Sequence, residues 1–130
     1  MKRIAAKTIL VAEAKGDWLD LLNQVMARSG YEVIEASSDF DSIWEAAATP
    51  PDLILLDLRY VGTNAAKVLS NLRMDQSTKN IPVIVEAAYG DDGIDRAILA
   101  GAKQVLYKPF DLSALPSVLR EYLAAPKSER

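Results

Sequence analysis

The chain has no cysteine and no histidine. Without cysteine there are no disulfides, no thiolate nucleophile and no zinc–thiolate site. Without histidine the usual general base and the commonest metal ligand are missing, and the chain cannot carry a phosphohistidine of its own. No apolar run approaches the 18 or more residues of a membrane span, and the start lacks the apolar core of a signal peptide. Basic residues are in deficit: 15 Lys and Arg against 18 Asp and Glu leave a net charge of −3. No basic stripe stands ready to neutralise nucleic-acid phosphates. These absences leave a cytoplasmic protein with neither a direct nucleic-acid partner nor a membrane.

What is present is half hydrophobic and a quarter charged, within 130 residues. That is enough for one domain with a proper core. We expect a single domain over 1–130, with its core at about 7–125, a basic lead-in at Met1–Lys7 and a charged tail at 126–130. The organising stretch is Pro51-Asp52-Leu53-Ile54-Leu55-Leu56-Asp57. An unbroken aliphatic run of this length, closed by a carboxylate, reads as a strand buried on both faces.

Around it the hydrophobic period alternates. Thr8–Ala12 reads as a buried strand ending at Glu13. A helix then starts at Gly16-Asp17, with Asp17 as its cap and Trp18, Leu21, Leu22, Val25 and Met26 on one face, closed by Gly30. Tyr31–Ala36 reads as an edge strand because of its mixed polarity. Ser37 or Ser38 caps a helix through Ile43, Trp44, Ala47 and Ala48, and Pro50-Pro51 stop it. After the organising strand come a loop at Arg59–Thr63 and a helix from about Asn64 to Met74, with Val68, Leu69 and Leu72 facing inward. Ile81–Val85 is the fourth strand, and a helix ending at Gly101 follows the loop at Tyr89–Gly93. Gln104–Tyr107 is the fifth strand. Asp111 or Ser113 caps a last helix to about Ala125, with Pro116 in its first turn. Five strands alternating with five helices specify a doubly wound α/β domain with right-handed crossovers.

The blocks Ile9–Glu13, Pro51–Leu58, Ile81–Val85 and Gly101-Ala102, with Tyr107-Lys108-Pro109-Phe110, are similar in kind and order to the receiver domain of two-component response regulators. The resemblance covers nearly the whole chain. It implies a flavodoxin-like parallel sheet in the order 2-1-3-4-5, with strands one, three and five side by side and Glu13, Asp57 and Lys108 meeting at their carboxyl ends. It implies that Asp57 is the phosphoacceptor and Lys108 its cationic partner. Magnesium would be held by Glu13, Asp57 and the backbone carbonyl of Arg59, and the partner would be a histidine kinase or phosphotransfer protein. Such a module is not an enzyme. It acts on a downstream protein or an output domain, and the resemblance also admits a homodimer.

The pattern departs from the family at the pocket. The second acid after strand one is Ala14, which weakens or abolishes the metal site. The hydroxyl position on strand four is Ala87, and the aromatic switch position on strand five is Val105, with Tyr107 displaced by two residues. Losing one preorganised donor costs roughly a hundredfold or more in rate. Two readings therefore stand: an atypical phosphoaccepting receiver, or a pseudo-receiver that binds partners without phosphorylation. A small flavin- or nucleotide-binding enzyme on the same fold is disfavoured, because Glu13–Trp18 offers one glycine and no hydroxyl. The Arg59 guanidinium either points to solvent or folds back onto Asp57 or Glu13 as a permanent substitute for the metal charge. Glu86, which breaks the apolar run of strand four, is expected at the surface or capping a helix, with a place near the pocket mouth as the alternative.

Overall fold

A computed structural model describes residues 6–123. The tail expected at 126–130, the helix end expected at about Ala125 and the first five residues of the lead-in lie outside the described residues. The strands are β1 (Thr8–Ala12), β2 (Glu32–Glu35), β3 (Leu53–Asp57), β4 (Val83–Ala87) and β5 (Gln104–Tyr107). They form one parallel sheet in the order β2-β1-β3-β4-β5, as expected. Six helices accompany them: α1 (Asp17–Arg28), α2 (Phe40–Ala48), α3 (Leu58–Val61), α4 (Asn64–Met74), α5 (Ile94–Leu99) and α6 (Leu115–Leu123). The addition to the expected five is α3, one short turn in the stretch read as a loop. Asp57 starts it, its carboxylate accepting the Arg59 N–H at 3.2 Å, which is the action of an N-cap side chain.

β3 is buried along its whole length, as its aliphatic run requires. Its side chains alternate between two cores. Leu53 and Leu55 join Ile9, Val11 and Ile84 under α1 and α6; Ile54 and Leu56 join Leu10, Val83 and Val85 under α2 and α4. β2 is the exposed edge.

Several local expectations need correction. α1 starts from Gly16 with no side-chain cap, not from Asp17, and its buried positions are Leu19, Leu22 and Met26, while Leu21 is 45% exposed. Leu19 stands three positions before Leu22 and Leu21 three after Trp18, so helical spacing admits either, and the sheet selects Leu19. α2 is capped by Asp39, which accepts from Ser42 N–H, and not by Ser37 or Ser38. β4 runs two residues later than the apolar run suggests, so it includes Glu86 and Ala87. α4 matches its expected span, with Val68, Leu69 and Leu72 buried. Asp111 caps a 3-10 turn at Leu112–Ala114 that leads into α6, where Pro116 is the second residue.

Candidate functional site: an acidic pocket at the carboxyl end of the sheet

In an open parallel sheet the carboxyl ends of the strands form the usual ligand crevice. Here four charged side chains arrive there from four segments. Glu13 follows β1, Asp57 ends β3, Glu86 lies near the end of β4, and Lys108 follows β5. The Lys108 ammonium donates to Glu13 Oε2 at 2.9 Å and to Asp57 Oδ2 at 3.0 Å. The three residues expected to meet do meet, but their strands are not side by side. β4 lies between β3 and β5, so Lys108 reaches Asp57 across the end of β4, over Glu86.

Glu86 is therefore the largest correction at the site. It pairs in register with Asp57 and is wholly buried, neither at the surface nor capping a helix. Its Oε1 accepts the Trp18 indole N–H at 2.8 Å, while its Oε2 has no partner. Glu13 Oε1 is likewise buried and unpartnered, and the two carboxyl groups lie within hydrogen-bonding reach of each other. Burial, then hydrogen bonds to Asp57 and to Glu86, push the Glu13 carboxyl up to about 9. Burial also raises Glu86, against the hydrogen bonds that it makes to Glu13 and Trp18. Desolvation opposes the Lys108 charge, but hydrogen bonds to Glu13 and Asp57 outweigh it and raise the ammonium above its ordinary value. A buried acid keeps its proton, and a lysine beside carboxylates keeps its charge, by the same electrostatics.

Trp18 stands edge-on to Phe110 at 5.1 Å, and Lys108 Nζ lies 6.0 Å from the Trp18 ring centroid. The indole thus closes the pocket on the α1 side.

Arg59 does not fold back onto Asp57 or Glu13. Its exposed guanidinium donates to Asp91 at 2.8 Å, and Asp91 also accepts the Ala88 N–H at 2.8 Å. A cleft of about 390 Å³ opens beside this pair, between Leu58, Gly62, Gly93 and Arg96, and the four pocket charges do not line it. Of the switch positions, Ala87 is buried in the core beneath α2 and α4 and pairs in register with Tyr107. Val105 packs against that same core. Tyr107 stacks on Tyr89 at 4.2 Å with ring planes 6° apart.

The family implies a divalent cation, and the residues present do not fit one. Magnesium needs near-octahedral oxygen ligands at about 2.0–2.1 Å. Ala14 supplies none, the ammonium already lies against one oxygen each of Glu13 and Asp57, and no three acids among the described residues are arranged to share an ion.

Comparison with known proteins agrees with this architecture. The chain is 33% identical over 104 residues to sporulation initiation phosphotransferase F of Bacillus subtilis, covering 79% of this chain and 82% of that protein. It is 29% identical over 121 residues to the phosphate regulon transcriptional regulatory protein PhoB of Pseudomonas aeruginosa, covering 92% of this chain but only 53% of that protein. The receiver domain of the sensor histidine kinase PA1611 from Pseudomonas aeruginosa, solved with magnesium in its active-site cleft, shares the fold. Its TM-score is 0.79 at 21% identity, over 93% of this chain and all of that one. The response regulator receiver domain model matches residues 9–120, and the chain belongs to that family of two-component signalling modules.

Proposed function

We propose that Asp57 accepts a phosphoryl group from a histidine kinase or phosphotransfer protein and that Lys108 holds the transferred group. A carboxylate oxygen of Asp57 attacks phosphorus, the bond to the donor's nitrogen breaks, and the imidazole leaves with the electron pair. The observation that carries this reading is the Lys108 ammonium 3.0 Å from Asp57 Oδ2, placed to follow the charge onto a phosphoryl oxygen. Asp57 is consumed in the step, so the module is a switch and not an enzyme. It works in the cytoplasm beside its kinase, and its readout is a downstream protein, an output domain or a second copy of the chain. Ala14, where a second acid would stand, leaves the step to depend on Asp57 and Lys108.

The Glu13–Lys108–Asp57 cluster also favours a second reading: the ammonium is already engaged by two carboxyls, as in a pseudo-receiver fixed in one state. One experiment separates them. The protein is incubated with acetyl phosphate, with and without magnesium, and its intact mass is measured beside Asp57→Asn. Gain of one phosphoryl mass, lost in the variant, is expected. No gain in the folded wild-type protein overturns phosphoacceptance and leaves the interaction module.

A further inference from the structure

Glu86 has no part in the phosphoryl step, yet it is the most enclosed charged group of the pocket. It occupies the floor between Asp57 and Lys108, with one oxygen committed to Trp18 and the other unpartnered. An unpartnered buried carboxylate oxygen costs free energy, and here the unpartnered oxygens of Glu86 and Glu13 belong to carboxyls within reach of each other. Lys108 is the donor that holds Glu13 toward Asp57. Any event that draws the ammonium away from Glu13 changes the field at Glu86, and Glu86 answers to the indole of Trp18, the second residue of α1. Ala87, the neighbour of Glu86, has no side-chain group that could donate to anything in the pocket. The polar connection out of this floor is the one to α1.

We propose that Glu86 and Trp18 are a positioning pair of the pocket, through which a change in the partners of Lys108 is passed to α1. The proposal rests on the phosphoacceptor reading for its natural trigger, though not for its test. When a phosphoryl group bonds to Asp57, its dianion competes for the ammonium. Glu13 loses part of its donor and is left beside Glu86. With its bond to Lys108 weakened, Glu13 no longer anchors its contact with Glu86, and Glu86 shifts with the indole attached to it. Trp18 also contacts Phe110, so the start of α1 and the turn after β5 shift together.

The chain holds two tryptophans, which supplies an internal control. Trp44 lies on α2, stacked on Phe40 at 5.9 Å. The experiment records the two indole N–H resonances by nitrogen-15 NMR before and after acetyl phosphate, with intact mass as the measure of modification. We expect the Trp18 resonance to move and that of Trp44 to stay. In Glu86→Gln, which keeps an acceptor for the indole and holds Glu13 by an amide N–H whatever Lys108 does, the Trp18 movement falls to the level of Trp44. A modified protein with an unmoved Trp18, or equal movement in Glu86→Gln, overturns the proposal. Absence of any mass gain overturns the phosphoacceptor reading instead, and the pair is then tested by Lys108→Met without a phosphodonor. That substitution removes the ammonium from Glu13 directly. It moves the Trp18 resonance in the wild-type background and not in Glu86→Gln; an unmoved Trp18 in the wild-type background overturns the pair.

Discussion

Glu86 stands beside Asp57 in the parallel register of β3 and β4, so both carboxylates face the α1 side of the sheet. Only one of them has a cation. Lys108 takes Asp57 and Glu13, and Glu86 is left with a neutral indole.

The first prediction concerns that imbalance. Glu86→Gln keeps the Trp18 acceptor and gives Glu13 Oε1 an amide N–H, supplying a donor to a buried oxygen that now lacks one. Stability should rise by about 1–3 kcal/mol above pH 9, where the Glu13 carboxyl has lost its own proton. Glu86→Ala leaves the indole without an acceptor and should lower stability. Urea denaturation of both variants beside the wild type checks the signs; a less stable Glu86→Gln would contradict the assignment.

The pH dependence follows from the shifts. The Glu13 carboxyl rises from an unfolded value near 4.5 to about 9, and Glu86 is raised as well. Between those limits the folded state binds more protons than the unfolded state, so stability falls as pH rises, by at most about 1.4 kcal/mol per pH unit for each such group. On the acid side, Asp39, Asp75 and Asp111 are depressed by hydrogen bonds from Ser42, Ser77 and Ser113. Their contribution is present above the ordinary aspartate value and lost as pH falls below it. Stability should therefore peak near pH 5 and decline toward pH 9, which denaturant titrations across that range measure. A flat profile from pH 5 to 9 would show Glu13 ionised throughout.

Arg59→Ala removes a contact with Asp91 and leaves the pocket charges in place. The exposed pair should contribute little to stability, and less at high salt. Magnesium binding, followed by Trp18 fluorescence, should match the wild type. Tighter binding in the variant would mean that the guanidinium guards the pocket.

Gly101→Ala should destabilise. Gly101 has φ +119°, where a side chain is strained, and an added Cβ would lie 2.6 Å from Arg73 Cδ. Arg73 can yield because its end is flexible, so backbone strain sets the loss at about 1 kcal/mol or more. Thermal unfolding checks it.

The strands were legible in the sequence because aliphatic runs end in charged residues; their order and the meeting of Glu13, Asp57 and Lys108 came from the resemblance to receiver domains. The place of Glu86 was not legible. A lone acid after Val83-Ile84-Val85 looks like the end of a buried run, and only the register with β3, together with an indole arriving from α1, makes a buried place for it. The direction of Arg59 was hidden for a related reason. Its partner Asp91 lies 32 residues away in a loop, and residue spacing along the chain does not report such a pairing. The displacement of Tyr107 was legible, but its stack on Tyr89 was not, since Tyr89 stands in a loop with no periodicity to orient it.

The bonds of Lys108 span 95 residues to Glu13 and 51 to Asp57, and β5 is the last strand of the chain to be made. Contacts of such separation form late, after the intervening loops have been closed. A chain still emerging from the ribosome, or stalled short of β5, has Asp57 without the lysine that attends it. The pairing of Lys108 with Asp57 is in this way also a certificate that the five described strands have been assembled.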